Sequence, residues 1–468
     1  MMEYPAPRYP RLKRLKSIEA LMPKVRQLVN QTWDVGMLSL KPAYGIKTGD
    51  KVLFVALSEY DSIVIEAMCR GIREKGARVD LFTIDSTPLG SPEEIAVHEA
   101  IALDKDEGAY NYYYTMVTDL IGADTARSLI NLEKYDLIIA GMAGPPPTVP
   151  IPWRRFVFAS LEDFASPLFD FPMELIKLID EKTWVLIKSC EVLRLTDPEG
   201  TDVKWTNYDD KRYPLSDHHP CRPLNIGYGN NSKDDCTGVV AGTLNHLGAF
   251  PHCRAYIEGG QVVRVEDGGK YGDVWREKLG KYRNVKLPLL NLALEITIPA
   301  GDVERPTFEL PAPGLFWYKE CALGTIPAVF RLPREGRHEC YANMLHDRRR
   351  SGYIHSGFGA PIHGQQQLIE AGIPWTHLHI HSLFPTLEGR NDKGEAVRIV
   401  DKGHLIPLDD SEVRSLARRF GDPDELLTEA WIPAMPGINV PGDYMEDYGR
   451  DPISWMKREA DEHPIWID

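Results

Sequence analysis

The run Lys51-Val52-Leu53-Phe54-Val55-Ala56-Leu57 limits most strongly what this chain can fold into. Its apolar residues are continuous instead of alternating, the pattern of a strand buried on both faces. A helical stretch from about Ser62 to Lys75 follows, closed by Gly76, and a second strand runs from Arg78 to Ile84. Tyr135 to Met142 and Trp184 to Lys188 repeat the strand pattern with helices between them, one from about Leu168 to Glu181, and residues 17 to 31 have helical spacing. Such alternation needs crossover connections and predicts a parallel α/β sheet. No Gly-x-Gly-x-x-Gly follows the first strand, so the domain lacks a dinucleotide signature.

From about Glu191 the texture changes. Short strands and turns such as Glu258-Gly259-Gly260 and Asp267-Gly268-Gly269 replace the long helices, which predicts a second, β-rich α+β domain. The chain is therefore divided into an α/β domain, residues 1–190, and a β-rich catalytic domain, residues 191–468. The run Gly144-Pro145-Pro146-Pro147, with Pro150 and Pro152, reads either as a domain junction or as Pro-rich turns inside one domain. At 468 residues, 43% hydrophobic and 26% charged, the chain is long enough for two sizeable cores.

A formal charge of -14 argues against a sequence-independent nucleic-acid binder, since phosphate neutralisation needs clustered Lys and Arg. The short basic stretch Arg11 to Lys16 reads as a solvated helix face. No apolar run has the length of a membrane span and the N-terminus lacks the apolar centre of a signal peptide, so a cytoplasmic protein is expected. The seven cysteines are dispersed, odd in number and without a Cys-x-x-Cys pair, which predicts reduced thiols.

Chemistry concentrates near the C-terminal third. In Trp375-Thr376-His377-Leu378-His379-Ile380-His381 three imidazoles alternate with apolar residues, so a strand places all three on one face. Imidazole is the commonest metal-binding side chain near neutral pH, and two of them one alternation apart can reach one ion. The outer two have Cα atoms roughly 13 Å apart at about 3.3 Å per residue, so one metal takes two of the three and the third has another task. Seven of the 14 histidines (His338, His346, His355, His363, His377, His379, His381) lie in this region.

Three segments, in this order, resemble the thermophilic aminopeptidase family of dimetal peptidases. They are Ile46-Lys47-Thr48-Gly49-Asp50-Lys51-Val52-Leu53 with Gly76-Ala77-Arg78-Val79; Leu195 to Val203 with its Gly200-Thr201-Asp202 turn; and the stretch from Glu320-Cys321-Ala322-Leu323-Gly324 through His355-Ser356-Gly357-Phe358-Gly359 to His379-Ile380-His381. The resemblance implies an N-terminal α/β domain, a β-rich metal-binding domain and a homodimer. It makes Glu320, His355, His379 and His381 the metal ligands, with His377 and His379 as the alternative pair. Two departures matter. Arg350 stands where the family has a Glu five residues before His355, and Asn245-His246-Leu247-Gly248-Ala249 replaces a Gly-Gly-Glu segment.

With two carboxylates missing and Arg350 adding positive charge, too little negative charge remains for two divalent cations. A single divalent metal is expected, Fe(II) first, with zinc or manganese as alternatives. That pattern is similar to the 2,5-dihydroxypyridine 5,6-dioxygenases of the same superfamily, which implies ring opening of a hydroxylated aromatic or N-heteroaromatic acid with dioxygen. His377, His246 and Tyr353 are candidate acid–base groups, and Arg348 and Arg350 are candidate clamps for a substrate carboxylate. The competing expectation is a metal-dependent aminopeptidase, in which Glu258 or Glu320 would have to act as the base.

Overall fold

The computed structural model describes residues 3–32, 44–57, 60–84, 96–97, 135–140, 153–155, 160–207, 224–225, 236–245, 248–286, 290–291, 307–308, 313–330, 349–359, 373 and 377–467. Its architecture is α/β, a parallel sheet with helices followed by a large antiparallel sheet.

The chain enters through β1 (Leu12–Lys13) and α1 (Ile18–Asn30), whose first turn is capped by the Ser17 hydroxyl accepting from the Ala20 amide. The parallel sheet is ordered β3-β2-β4-β5, where β2 is Lys51–Leu57, β3 Arg78–Ile84, β4 Leu137–Ala140 and β5 Trp153–Arg155. Val52, Phe54 and Ala56 are buried, while Leu53 and Val55 on the other face are half-buried, so the run is covered fully on one face only among the described residues. Helix α2 (Ser62–Glu74) packs on α1 at Gly71, where an added Cβ would stand 2.4 Å from Val25 Cγ1. The glycine allows the two helices to approach.

Two readings of the sequence change here. Trp184 to Lys188 is not a strand but the last turns of α3 (Met173–Lys188), which buries Thr183, Trp184 and Ile187 at helical spacing. A five-residue apolar cluster fits either period, and the strand begins after it, at Cys190. The basic stretch Arg11 to Lys16 is likewise not a helix face. Leu12 is buried, and β1 pairs in parallel with β20 (Trp466–Ile467). The Pro-rich run 144–152 lies outside the described residues.

The antiparallel sheet contains β6 (Cys190–Thr196), β7 (Asp202–Thr206), β8 (Leu224–Asn225), β9 (Thr237–Leu244), β10 (Ala249–Glu258) and β11 (Gln261–Asp267). A separate pair joins β12 (Leu290–Asn291) to β13 (Thr307–Phe308). Beyond it the large sheet adds β14 (Trp317–Leu323), β15 (Ile354–Gly359), β16 (His377–Ser382), β17 (Thr386–Asn391), β18 (Ala396–Asp401) and β19 (His404–Leu405). Its order is β16-β15-β14-β11-β10-β9-β7-β6-β17-β18-β19, with β8 on β14.

The sheet curls until β16 lies against β9. A Cβ at Gly242 would stand 2.8 Å from Ile380 Cγ2 and 2.9 Å from the His381 carbonyl, so glycine is what permits this approach. The turn between β6 and β7 secures the end of the same strand: Asp197 Oδ2 accepts from the Phe384 amide at 3.1 Å, and Thr201 bonds both the amide and the carbonyl of Ala241. Burial pushes the Asp197 and Glu199 carboxyls up from the usual range, and Asp197 raises Glu199 further.

Candidate metal centre

Three neighbouring strands, β14, β15 and β16, build the site. In one cross-strand row Glu320 faces Gly357, which faces His379; in the next, Ala322 faces His355, which faces His381. Alternation places these residues on one face, while Cys321, Phe358, Leu378 and Ile380 turn to the hydrophobic core on the other.

Glu320 reaches that face through a β-bulge. Tyr318 pairs with Phe358 and Glu320 with Gly357, leaving Lys319 as the extra residue. Without the bulge Lys319, an ammonium, would face Gly357. Gly357, between Glu320 and His379 in this row, adds no side chain of its own to the face. The outer edge of β16 is closed by Tyr271 of α4 (Gly269–Tyr282), whose hydroxyl donates to the His379 carbonyl at 3.0 Å and accepts from the His379 amide at 3.1 Å. Both backbone groups of His379 on the outer edge of the strand are therefore satisfied by one side chain.

Glu320, His355 and His379 offer ligand atoms that all lie within 4.8 Å of one another. His355 Nε2 is 3.4 Å from Glu320 Oε2, and the rings of His355 and His379 have centroids 4.4 Å apart. Donors bound at about 2.0–2.2 Å to one ion stand roughly 3 to 4.4 Å apart, so the group fits a single cation. All three are buried, Glu320 6%, His379 2% and His355 0% exposed. A divalent cation at this point would be met by one carboxylate and two imidazoles.

His381 sits behind His355. Its Nε2 is 2.9 Å from His355 Nδ1, and its Nδ1 is 2.5 Å from the Tyr353 hydroxyl. Both ring nitrogens are thus engaged by neighbours, and Tyr353 touches His381 instead of the donor group. Arg350 is one layer further out. It donates to the carbonyls of Trp431 and Leu383, each at 2.8 Å, and lies over the Tyr353 ring at 5.8 Å. The guanidinium ties the C-terminal segment to the wall of the site. His377 pairs with Gly359 in the strand register, while His246 and Arg348 lie outside the described residues.

No family model and no curated protein sequence matches the chain. Solved structures similar to it include two enzymes. One is the 2,5-dihydroxypyridine dioxygenase from Pseudomonas putida, at 12% identity and a TM-score of 0.40, covering 86% of this chain and 100% of that one. The other is wild-type AmpT from Thermus thermophilus, at 15% identity and a TM-score of 0.40, covering 82% of this chain and 100% of that one. Both likenesses are distant, and the chemistry argued below rests on the side chains of the site.

Sequence reasoning missed Tyr271 and the place of Gly357 between Glu320 and His379. Neither has a local signature, because each acts through a strand that is distant in sequence. Among the described residues no helix is long and apolar enough to cross a membrane. The described cysteines, Cys69, Cys190, Cys236, Cys253 and Cys321, are free thiols.

Proposed function

We propose that the chain is a mononuclear non-haem iron dioxygenase that opens the ring of a hydroxylated aromatic or N-heteroaromatic acid. The observation that carries this reading is the donor set itself, two imidazoles and one carboxylate converging on one buried sheet face. Such a set is the usual holder of a catalytic Fe(II) with open positions. When bound there, the metal supplies Lewis acidity toward a phenolic hydroxyl and redox chemistry toward dioxygen.

The residues of the chain have separate tasks in this reading. Glu320, His355 and His379 hold the cation. His381 and Tyr353 orient the His355 ring: with Nε2 of His355 toward the metal, its Nδ1 carries the proton and donates it to His381 Nε2. His381 Nδ1–H then donates to the Tyr353 oxygen. Tyr353 is thereby a positioning residue. His377 and His246 remain the candidates for taking the proton from the substrate hydroxyl, and Arg348 for meeting its carboxylate. A homodimer, implied by the sequence resemblance, and a cytoplasmic location, expected from the lack of an apolar span in the sequence, belong to the same proposal.

The same donor set also serves zinc peptidases, which need a further carboxylate to accept the proton of a metal-bound water. Among the described residues Glu320 is the one carboxylate of the group, and Glu258 is exposed at the end of β10 beside a hairpin. Among the described residues the group has no second carboxylate to serve as that base, which favours oxygenase chemistry. The test is oxygen uptake by Fe(II)-loaded protein with dihydroxypyridine and dihydroxybenzoate carboxylic acids. Substrate-dependent uptake with loss of ring absorbance is expected. Release of amino acids from peptides by zinc-loaded protein, without oxygen uptake, would overturn the proposal in favour of the peptidase.

A further inference from the structure

The donor His379 sits on the strand that ends the large sheet. Among the described residues no strand is hydrogen-bonded to the outer edge of β16. A strand paired on one side only is the part of a sheet where register is held least, and a slip of one residue would turn His379 to the core and put Leu378 or Ile380 on the donor face. The Tyr271 hydroxyl stands where the next strand would be, bonded to both the carbonyl and the amide of His379.

The chain is bent sharply to bring that oxygen there. Between β11 and α4 three consecutive residues, Asp267, Gly268 and Gly269, have φ of 58°, 84° and 52°, in the left-handed region. Asp267 has a Cβ and adopts that conformation at a steric cost. The reversal is so tight that a Cβ at Gly272 would stand 1.8 Å from the Asp267 carbonyl oxygen. It lays the first turn of α4 on the sheet and buries Tyr271 completely. The Tyr271 ring stacks on Phe250 of β10 with centroids 4.2 Å apart and meets Trp275 edge-on at 5.9 Å. Trp275 packs in turn against Phe358 of β15 at 5.2 Å. Aromatic contacts reaching two strands therefore fix where the phenol oxygen lies.

From this geometry we infer that Tyr271 is a positioning residue of the metal centre. By holding both backbone groups of His379 it fixes the register of β16 and so aims the imidazole at the point it shares with Glu320 and His355. The two imidazole donors then have separate supports: His355 is held through its ring by His381, and His379 through its backbone by Tyr271. The inference rests on the three-donor reading of the site and not on the reaction proposed for it.

Hydrogen exchange and metal affinity test it together. In metal-free wild-type protein the His379 amide should be protected although no strand pairs with that edge, and Tyr271→Phe, which keeps the ring and removes the oxygen, should lose that protection. Fe(II) affinity, measured under nitrogen by competition with a chromophoric chelator, should fall by about 10- to 100-fold in Tyr271→Phe. Gly71→Ala, which weakens the fold at the parallel sheet, should keep the wild-type affinity. Rapid exchange of the His379 amide in the wild type would overturn the inference, as would unchanged exchange in Tyr271→Phe. Wild-type affinity in Tyr271→Phe, with the metal lost from His379→Ala, would overturn it and leave the three-donor centre standing. An equal fall in Gly71→Ala would overturn it too, because affinity would then follow overall stability. Fe(II) held by His379→Ala as tightly as by the wild type would overturn the three-donor centre and the inference with it.

Discussion

At the residue scale the donors and their supports should separate cleanly. His355→Ala, His379→Ala or Glu320→Ala each removes one of the three proposed ligands, and each variant should lose its metal on dialysis. His381→Ala removes a group that touches His355 and not the ion, so metal affinity should fall by about 10- to 100-fold without being lost. Competition with a chromophoric chelator measures both effects. Unchanged affinity in His381→Ala would show that His355 needs no partner behind it. The alternation of the three histidines made their common face legible in the sequence. The identity of the third donor was legible only through resemblance, because Glu320 reaches the face by the bulge at Lys319, and its opposition to Gly357 depends on pairing between strands distant in the chain.

At the element scale, close approaches and turns hold the site's frame. Gly71→Ala would place a Cβ 2.4 Å from Val25 Cγ1, overpacking the contact of α1 with α2. The expected cost is about 1–3 kcal/mol in denaturant unfolding, with metal binding unchanged because the centre lies on the other sheet. A second device locks the turn before β15 against the turn before β19. His404 lies between Glu429 and Asp409, and the Ser351 hydroxyl donates to Glu429. Its hydrogen bond to Glu429 leads in raising the His404 pKa to about 9, from an ordinary value near 6.5. A raised pKa contributes stability that is fully present below about pH 6.5 and is lost as pH rises through about 9. His404→Gln should flatten the pH dependence of the melting temperature across that window; an unchanged slope would place the titration elsewhere. Strands β2 and β3 were legible to the residue, since each is a short β-branched and aromatic run next to a glycine-ended helix. The end of α3 was not, because Trp184 to Lys188 is too short for its period to be distinguished.

At the scale of the whole molecule, the chain sets a curled antiparallel sheet behind the metal face and joins its two ends through the parallel pair of β1 and β20. The buried Asp197 and Glu199 act in the same direction as His404: their raised pKa values favour the protonated folded state, so stability falls as pH rises above the ordinary carboxylate range. Metal adds stability by mass action, about 2.7 kcal/mol at a hundredfold excess over Kd, so chelation should lower the melting temperature of the native protein and leave that of His379→Ala in place. The division into a parallel and an antiparallel half could be read from composition and turn chemistry. The closure of β16 on β9 through Gly242 could not, since a glycine in a strand does not reveal which backbone approaches it.

The central claim is a single divalent ion held by Glu320, His355 and His379. Metal content per chain, determined by elemental analysis on protein purified without oxygen and repeated on His379→Ala, tests it most directly. The account predicts about one iron per chain, absent from the variant. Two zinc or cobalt ions per chain, or a full complement of iron retained by His379→Ala, would contradict it.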